Sequence, residues 1–269
     1  MDRDNPMNTT RDYTIASVQK ALRILKLFDS REGERKTELS LMEICDRLQL
    51  TASSVMRLLY TLNQEGFIDF NKQTKKYSLN ALMFRLGMNM YNSMDLIKVG
   101  HDYIKPLSNE TGLAVYFASV SNNEILVIDK AFPDRISTWP AMSAVAGSIL
   151  PMHASGIARL YLSQLSDEEI RSYFQTHPMK RFTEHTVTDV EELLRRVEVV
   201  RREGVAYIEC EHEDYIAAIC MPILGYDGKV AGGISVSGIS NVVLDPEKRG
   251  GYLEKLTHTV HEITRRMGG

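Results

Sequence analysis

The chain has 269 residues, more than one domain usually holds, and its 43% hydrophobic and 25% charged residues are the proportions of a folded globular protein. A formal net charge of −3 excludes a uniformly basic nucleic-acid coat, but residues 1–80 carry 13 Lys and Arg against 11 Asp and Glu, whereas residues 81–269 carry 19 against 24. The sign of this asymmetry favours an N-terminal part that faces DNA.

Cysteine usage and hydropathy give the expected compartment. The three cysteines, Cys45, Cys210 and Cys220, have no close spacing, which argues against a disulfide framework. No apolar run approaches the ~20 residues that cross a bilayer. Residues 1–12 are polar and charged and have no signal-peptide core. We therefore expect a cytoplasmic protein without a membrane partner, and a disordered lead over residues 1–12.

The first two predicted helices follow that lead. Ser40 and Glu43 have the spacing of a capping box, Leu39 and Ile44 can form the hydrophobic staple around it, and the helix should run to about Leu48. The helix before it is indicated by an apolar stripe at helical spacing, which consists of Val18, Ala21, Leu22, Leu25 and Phe28.

A third helix and a hairpin complete the N-terminal pattern. Thr51 is a favourable N-cap, and Gly66 can end the helix. Two extended runs, 67–70 and 76–79, flank a polar tip at 71–75. Two helices joined by a tight turn and followed by a basic hairpin predict a winged helix-turn-helix over residues 13–80. The buried stripe of the third helix is predicted to be Val55, Leu58, Leu59 and Leu62.

Major-groove reading suits short polar side chains at a helix start together with an arginine. Helix-turn-helix spacing alone also occurs in ordinary solvated helices. The prediction of a DNA-binding domain therefore depends on the order of the elements, in which the basic hairpin follows the two helices. Hairpin lysines can neutralise phosphates and add salt-dependent affinity. The predicted DNA contacts are Thr51, Ser53, Ser54, Met56, Arg57, Lys72, Lys75 and Lys76.

Residues 81–103 predict a helix that links two domains, with a break near residues 92–93. A methionine-bearing apolar stripe of this kind indicates packing rather than a cofactor site, and we predict no cofactor. The stripe consists of Leu82, Leu86, Met90, Leu96 and Val99.

The remaining residues, 104–269, predict a second domain of the α+β class with a mainly antiparallel sheet. Ser166 and Glu169 form another capping box, and Asp245 with Pro246 predicts the N-cap and first residue of the last helix. Further helices are predicted over 152–162 and 189–203, and strands over 113–120, 124–131, 205–209, 216–224 and 230–237.

Several separate motifs, in the same order, resemble the IclR (isocitrate lyase regulator) family of transcriptional regulators. They are SVQKALRIL at 17–25, SSVMRLLYTL at 53–62, LPMHASG at 150–156, AAICMPI at 217–223 and GISVSG at 233–238. The resemblance implies a DNA-binding head, a GAF-like effector-binding body and a homodimer, or a dimer of dimers, on double-stranded operator DNA.

The ligand site is predicted from two segments. The start of the 152–162 helix holds small residues, and its free amides and dipole favour an anion such as a carboxylate. Ser235 and Ser237 share one strand face, where they satisfy backbone groups or meet a polar ligand. The resemblance implies a small organic acid of a catabolic pathway as the effector. The implied contact residues are Met142, Leu150, Gly156, Ile157, Glu209, Ile216, Ala218, Ser235 and Ser237.

This sequence also departs from the family. Some relatives carry an acidic residue near the position of Ile208 and a cysteine at that of Ala218, and Arg159 stands where a lysine is common. The polar groups of the site, and therefore its ligand, can differ from those of relatives.

Two other classes of chemistry stay open as alternatives to an effector-responsive regulator. A hydrolase-like site would use Ser235 or Ser237, although residues 233–237 match a nucleophile elbow only in part and lie in a strand. A metal-binding sensor would use His153 and Cys210. The surrounding candidates, Glu209, Glu211, His212, His258 and His261, have no recognised zinc spacing, so we predict no metal and no enzyme.

Overall fold

The computed structural model of the protein describes residues 13–29, 37–135 and 144–268. The predicted disordered lead, residues 1–12, lies outside the described residues. The chain divides into two compact units between Met90 and Tyr91. The described residues contain no helix that is both long and apolar enough to span a membrane.

The first unit is a three-helix head with a small antiparallel sheet in the strand order β1-β3-β2. The side chains in its core are all apolar and come from the three helices and the sheet, and they include the fully buried Ile24, Ile44 and Leu59. The elements are α1 (Ala16–Lys26), β1 (Leu39–Ser40), α2 (Leu41–Leu48), α3 (Ala52–Gln64), β2 (Ile68–Asn71) and β3 (Lys76–Leu79).

Local capping explains the turn between α2 and α3. The Ser40 hydroxyl accepts a bond of 3.3 Å from the Glu43 amide, and the Ser40 amide donates one of 2.8 Å to the Glu43 carboxylate, so the predicted capping box is present. Gln49 ends α2 in the left-handed region, with φ 54°. Thr51 is the N-cap residue of α3, but its hydroxyl lies 3.3 Å from that of Ser53 instead of capping the helix.

The apolar stripe predicted for α1 is only partly buried. Three of its five residues contact the core, but Val18 and Leu22 are 51% and 53% exposed, and Ile24, which lies outside the predicted stripe, is fully buried. The buried face is centred on Ile24, because α1 has apolar side chains on two neighbouring faces and only one of them packs against α2 and α3.

The predicted linker over residues 81–103 is two helices, α4 (Ala81–Ser93) and α5 (Asp95–Thr111), with Met94 between them. Helix α5 continues past residue 103 because its apolar residues, including Ile104 and Leu107, belong to the core of the second unit. Gly112, at φ 67°, ends this helix.

The second unit contains a six-stranded sheet in which every neighbouring pair is antiparallel, in the order β6-β5-β4-β9-β8-β7. Asn122 and Asn123, with φ of 51° and 59°, form a two-residue turn of the kind that suits a twisted hairpin. The strands are β4 (Ala114–Ser121), β5 (Glu124–Ala131), β6 (Ile149–Leu150), β7 (Ala206–Glu209), β8 (Ile216–Leu224) and β9 (Val230–Ile239).

Helices cover both faces of this sheet. One face packs against α5 and α10 (Arg249–Arg266), and the other against α6 (Gly156–Leu162), α7 (Asp167–Thr176) and α8 (Val190–Glu203). Strand alternation therefore separates Ile234 and Val236, which belong to the α5–α10 core, from Ser235 and Ser237 on the α6 side.

Two helix starts differ from the prediction. Helix α6 begins at Gly156 rather than at Met152, because the preceding residues form a turn in which the Ala154 amide donates to the carbonyl of Pro151. The last helix begins at Arg249, since the Asp245 side chain accepts from the Glu247 amide and so caps a separate turn. A short helix, α9 (Ser240–Val243), was not predicted.

Candidate functional site

The first unit has a polar groove of about 560 Å³ between α1 and α3. Three predicted DNA contacts, Ser53, Ser54 and Arg57, lie along it. Ser17 and Lys20 of α1 also line it, and sequence reasoning missed them because they belong to another helix. Their signal was the 17–25 motif, which was used only for the resemblance.

The other predicted DNA contacts surround this groove and the hairpin tip. Thr51 and Met56 are exposed on α3, with Met56 53% exposed. Lys72 and Lys75 are exposed at the tip, whereas Lys76 is half-buried in β3. The Asn71 carboxamide oxygen shapes the tip, accepting bonds of 2.9 and 3.2 Å from the Gln73 and Thr74 amides.

The second unit contains a cavity. Its floor is formed by residues that lie opposite one another in neighbouring strands of the sheet. Tyr116 of β4 lies opposite Ser235 of β9, which lies opposite Cys220 of β8. In the next row, Ser237 lies opposite Ala218, and Ala218 opposite Ile208. The small side chains in these rows, those of Ser235, Ser237 and Ala218, leave room for the cavity.

The cavity has a volume of about 90 Å³. Seven residues predicted from the sequence lie along it: Leu150, Gly156, Ile157, Ile216, Ala218, Ser235 and Ser237. The lining also contains residues that were not predicted as contacts, namely Tyr116, Ala144, Ala154, Ser155, Ile208, His212, Glu213, Ala217 and Cys220.

Two predicted residues are not among this lining. Met142 lies outside the described residues. Glu209 does not line this cavity: it is exposed, and its carboxylate accepts a 3.0 Å bond from the Ser240 hydroxyl. Because successive residues of a strand face opposite ways, its neighbour Ile208 lines the cavity instead.

The polar atoms in the cavity differ in how they are satisfied. The Ser237 hydroxyl donates to that of Ser235 at 3.3 Å. The Tyr116 hydroxyl is buried and has no hydrogen-bond partner in the structure. Burial, and then the negative charge of Glu213, raise the pKa of Tyr116, while burial raises the pKa of Cys220 to about 12. Both groups are therefore protonated and neutral near pH 7.

Helix α6 approaches the sheet closely at Gly156. A Cβ at this position would lie 2.3 Å from the Cys220 sulfur and 3.1 Å from Ile208 Cγ1. The later helix start makes the predicted amide donors, Gly156 and Ile157, the first two residues of α6. Ser155, the N-cap, makes no side-chain cap bond.

A buried ion-pair network holds the loop that follows β7. Glu211 is fully buried and accepts bonds of 3.2 and 2.8 Å from Arg159 of α6, and one of 2.9 Å from Arg196 of α8. Since His212 and Glu213 follow directly, this network fixes the part of the loop that lines the cavity. The arginine that replaces the family's common lysine thus has a defined structural partner.

Two of the candidates for a metal site, His153 and Glu211, have other partners. His153 is 5% exposed, its Nε2 donates to the Lys180 carbonyl at 2.8 Å, and its ring stacks on Phe182. Glu211 is occupied by the two arginines. Within the part of the chain that the structure describes, no three His, Cys, Asp or Glu side chains are grouped so as to hold a metal ion.

A helix-turn-helix head joined to a helix-covered antiparallel sheet with an internal cavity defines a two-domain DNA-binding regulator. Comparison with protein families agrees with this class. Residues 17–72 match the IclR helix-turn-helix domain, and residues 88–265 match the family described as bacterial transcriptional regulator IclR C-terminal. The chain therefore belongs to the IclR family of bacterial transcriptional regulators.

Individual relatives are similar over nearly the whole chain. The regulator KdgR of Dickeya chrysanthemi is 26% identical over 94% of this chain and 81% of its own length. XynR of Escherichia coli is 27% identical over 94% of this chain and 98% of its own. The crystal structure of an IclR regulator from Alicyclobacillus acidocaldarius superposes with a TM-score of 0.79, covering 96% of this chain and all of that one at 24% identity.

A second solved structure contains a bound ligand of its own. An IclR homolog from Microbacterium hydrocarbonoxydans, complexed with 4-hydroxybenzoate, has a TM-score of 0.76 at 20% identity, covering 93% of this chain and 98% of that one. The families and relatives are transcriptional regulators rather than enzymes. Ser235 also lies within β9 and not at a strand-to-helix turn, so the hydrolase alternative is set aside.

Proposed function

We propose that this regulator binds operator DNA through α3 and the hairpin, and that a small organic acid in the cavity of the second unit controls that binding. The unpartnered Tyr116 hydroxyl, in a cavity that Ser235 and Ser237 also line, is the observation that carries the proposal. A buried polar group without a partner is costly, and a polar ligand would supply the missing hydrogen bond.

For DNA binding, Arg57→Ala is the direct test. Arg57 is exposed and lies in the groove with Ser53 and Ser54, so its loss removes a base or phosphate contact but little packing. We expect operator affinity to fall by about 1–3 kcal/mol, measured by fluorescence anisotropy at fixed salt, with stability unchanged within about 0.5 kcal/mol. Arg202→Ala, which removes the same charge from the exposed surface of the second unit, should bind like the wild type. Equal affinity of the Arg57→Ala and wild-type proteins would rule out this use of α3.

For effector control, the double variant Ser235→Ala, Ser237→Ala tests the cavity. It removes the two hydroxyls from the cavity floor and keeps the apolar walls. A thermal-shift screen with small carboxylic acids should identify a ligand that stabilises the wild type, because a ligand that binds only the native state raises apparent stability. The double variant should need at least ten times more ligand for the same effect on operator binding. An unchanged response would place the effector elsewhere.

We propose further that the protein acts as a homodimer or a dimer of dimers. The exposed apolar faces of the first unit support this, since Ile15, Val18 and Leu22 are exposed on or beside α1, and Phe84 and Met90 on α4. An operator with two-fold symmetry also requires two heads. Sedimentation velocity of the full chain should show two or four copies, and a monomer at micromolar concentration would contradict the proposal.

A further inference from the structure

Helix α3 exposes two large apolar side chains on the side that lies away from the core. Met56 is 53% exposed and Tyr60 is 67% exposed, whereas Val55, Leu59 and Leu62 of the same helix are buried. Residues four apart are neighbours on a helix surface, and long side chains lean toward the N-terminus of their helix. Tyr60 therefore extends toward the turn that holds Met56, and the two residues form one apolar surface, the α3 strip.

The position of the α3 strip indicates what covers it. Helix α3 is the second helix of the helix-turn-helix, and in this motif the second helix lies in the major groove. Since its buried side meets the domain core, its opposite side faces the bases. Arg57 lies between the two strip residues in sequence and lines the polar groove with Ser53 and Ser54. The strip is thus continuous with the surface proposed to bind DNA.

Several polar side chains at α3 have hydrogen-bond partners inside the protein. The Thr61 hydroxyl donates to the Arg57 carbonyl at 3.1 Å, and the Asn63 side-chain amide donates to a backbone carbonyl of β2 at 2.8 Å. The Ser53 hydroxyl lies 3.3 Å from that of Thr51. These bonds occupy groups that could otherwise read base edges, so the α3 strip supplies a larger share of the contacts that the helix offers to the bases.

The major-groove edges of the four bases carry hydrogen-bond donors and acceptors and one apolar group, the C5-methyl of thymine. An apolar side chain gains free energy when it removes that methyl group from water, and it loses free energy when it covers a polar edge without replacing its hydrogen bonds. We propose that Met56 and Tyr60 read thymine methyl groups, so that the operator carries thymine at the positions they contact. This inference rests on the proposed DNA-binding function of α3.

The test removes single methyl groups from the DNA. The full-length protein selects its operator from a pool of random duplex DNA, and each thymine of the selected operator is then replaced in turn by deoxyuridine, which pairs in the same way and lacks only the C5-methyl. Fluorescence anisotropy at fixed salt should show a loss of affinity of about fourfold at one or more thymines, which is the effect expected for one methyl group removed from water.

Variants of the protein assign that loss to the strip. Met56→Ala and Tyr60→Ala should each weaken binding to the thymine operator and should each bind the thymine and deoxyuridine operators equally well at one of the sensitive positions. Met42→Ala and Tyr226→Ala are matched controls, because these side chains are 63% and 88% exposed and lie outside α3, so both should keep the wild-type sensitivity. The unfolding midpoint should be unchanged in all four variants, since each side chain is exposed.

The outcomes separate this inference from the proposed function. If deoxyuridine weakens binding at no position, or if Met56→Ala and Tyr60→Ala both keep the wild-type sensitivity, the strip does not read thymine, and the use of α3 on DNA is decided by Arg57→Ala alone. Dissociation of oligomers in Tyr60→Ala with unchanged operator affinity, seen by sedimentation velocity, would make the strip a protein interface and overturn the inference.

The selection itself also has a decisive negative result. A pool from which no sequence is enriched would overturn thymine reading, because such reading requires sequence-specific binding. The proposed function would fail with it only if Arg57→Ala also bound DNA like the wild type.

Discussion

The two units differ in where their polar side chains lie: the first unit has them at its surface, and the second unit buries many of them. In the described part of the first unit the buried core is entirely apolar, and the predicted DNA contacts lie at its surface. The buried polar side chains of the described residues all belong to the second unit, and they are Ser108, Thr111, Ser119, His153, Ser155, Arg159, Thr183, Thr186, Glu211, Ser235, Ser237 and Thr259.

This difference follows from the size of what each unit recognises. DNA is larger than the head, so the side chains that read it extend into solvent and contribute little to folding. A small ligand is enclosed, so the groups that recognise it lie inside, where each must be satisfied or destabilises the fold. We therefore expect function and stability to be separable in the first unit and coupled in the second.

The largest effect is expected at Glu211. Glu211→Ala leaves Arg159, which is 2% exposed, without its carboxylate partner. Removing one member of a buried pair typically costs about 3–5 kcal/mol. Urea unfolding of the second unit should show this loss, and effector binding should weaken with it because His212 and Glu213 lose their anchor.

A matched surface pair supplies the control. Glu191 pairs with Arg171 at 2.8 Å, and both side chains are largely solvent-exposed, so Glu191→Ala should leave the unfolding midpoint unchanged. If the two substitutions have equal effects, or if Glu211→Ala costs less than about 1 kcal/mol, the proposed coupling of site and stability in the second unit is incorrect.

Local signals predicted most of the fold. The capping boxes at Ser40 and Ser166 depend on residues within a few positions of one another, and both are present. The buried stripe of α1 was predicted incorrectly at Val18 and Leu22, because a helix with two apolar faces does not indicate which face meets the core. The start of α6 was predicted four residues too early, because the small residues before Gly156 form a turn as readily as the first turn of a helix.

The cavity was predictable only where its residues are close in sequence. Ser235 and Ser237 share a strand face by simple alternation. Tyr116 and Cys220 meet Ser235 only through the pairing of β4, β9 and β8, which spans more than a hundred residues of chain and leaves no local pattern. Glu209 does not line the cavity, whereas its neighbour Ile208 does, because a shift of one residue along a strand reverses the face.

The next effect in size is expected at Gly156, where the site and the core coincide. In Gly156→Ala the new methyl group would lie 2.3 Å from the Cys220 sulfur, so α6 must move from the sheet. Overpacking of this kind costs about 1–3 kcal/mol, and the displaced helix start should also abolish effector binding. Thermal unfolding measures the loss of stability, and calorimetry with the carboxylic acid identified by the thermal-shift screen measures the loss of effector binding.

Gly250→Ala in α10 is the matched control, because a Cβ there meets nothing within 4 Å. Alanine should stabilise that helix by about 0.4–1 kcal/mol and leave ligand affinity unaltered. A Gly156→Ala protein that still bound its effector normally would show that the start of α6 does not contact the ligand.

The smallest effect is expected at Gln49, in the first unit. Gln49 ends α2 with φ 54°, a conformation that glycine adopts freely and other residues adopt at a cost, so Gln49→Gly should stabilise the head by about 0.5–1 kcal/mol. The reverse exchange in the second unit, Gly204→Gln at φ 71°, should be destabilising by a similar amount. Hydrogen exchange of the α2 and α8 amides reports each change separately.

Gln49→Gly also tests the separation of function and stability. Because Gln49 lies outside the groove, operator affinity should stay within about twofold of wild type at 25 °C, about 0.4 kcal/mol, while the α2 amides exchange more slowly. Glycine loses one bond, the 2.7 Å contact from the Gln49 side-chain amide to the Asp46 carbonyl, which is exposed and therefore weak. Faster exchange in the variant would mean that this bond outweighs the left-handed strain, and a large loss of operator affinity would mean that the turn itself positions α3 on DNA.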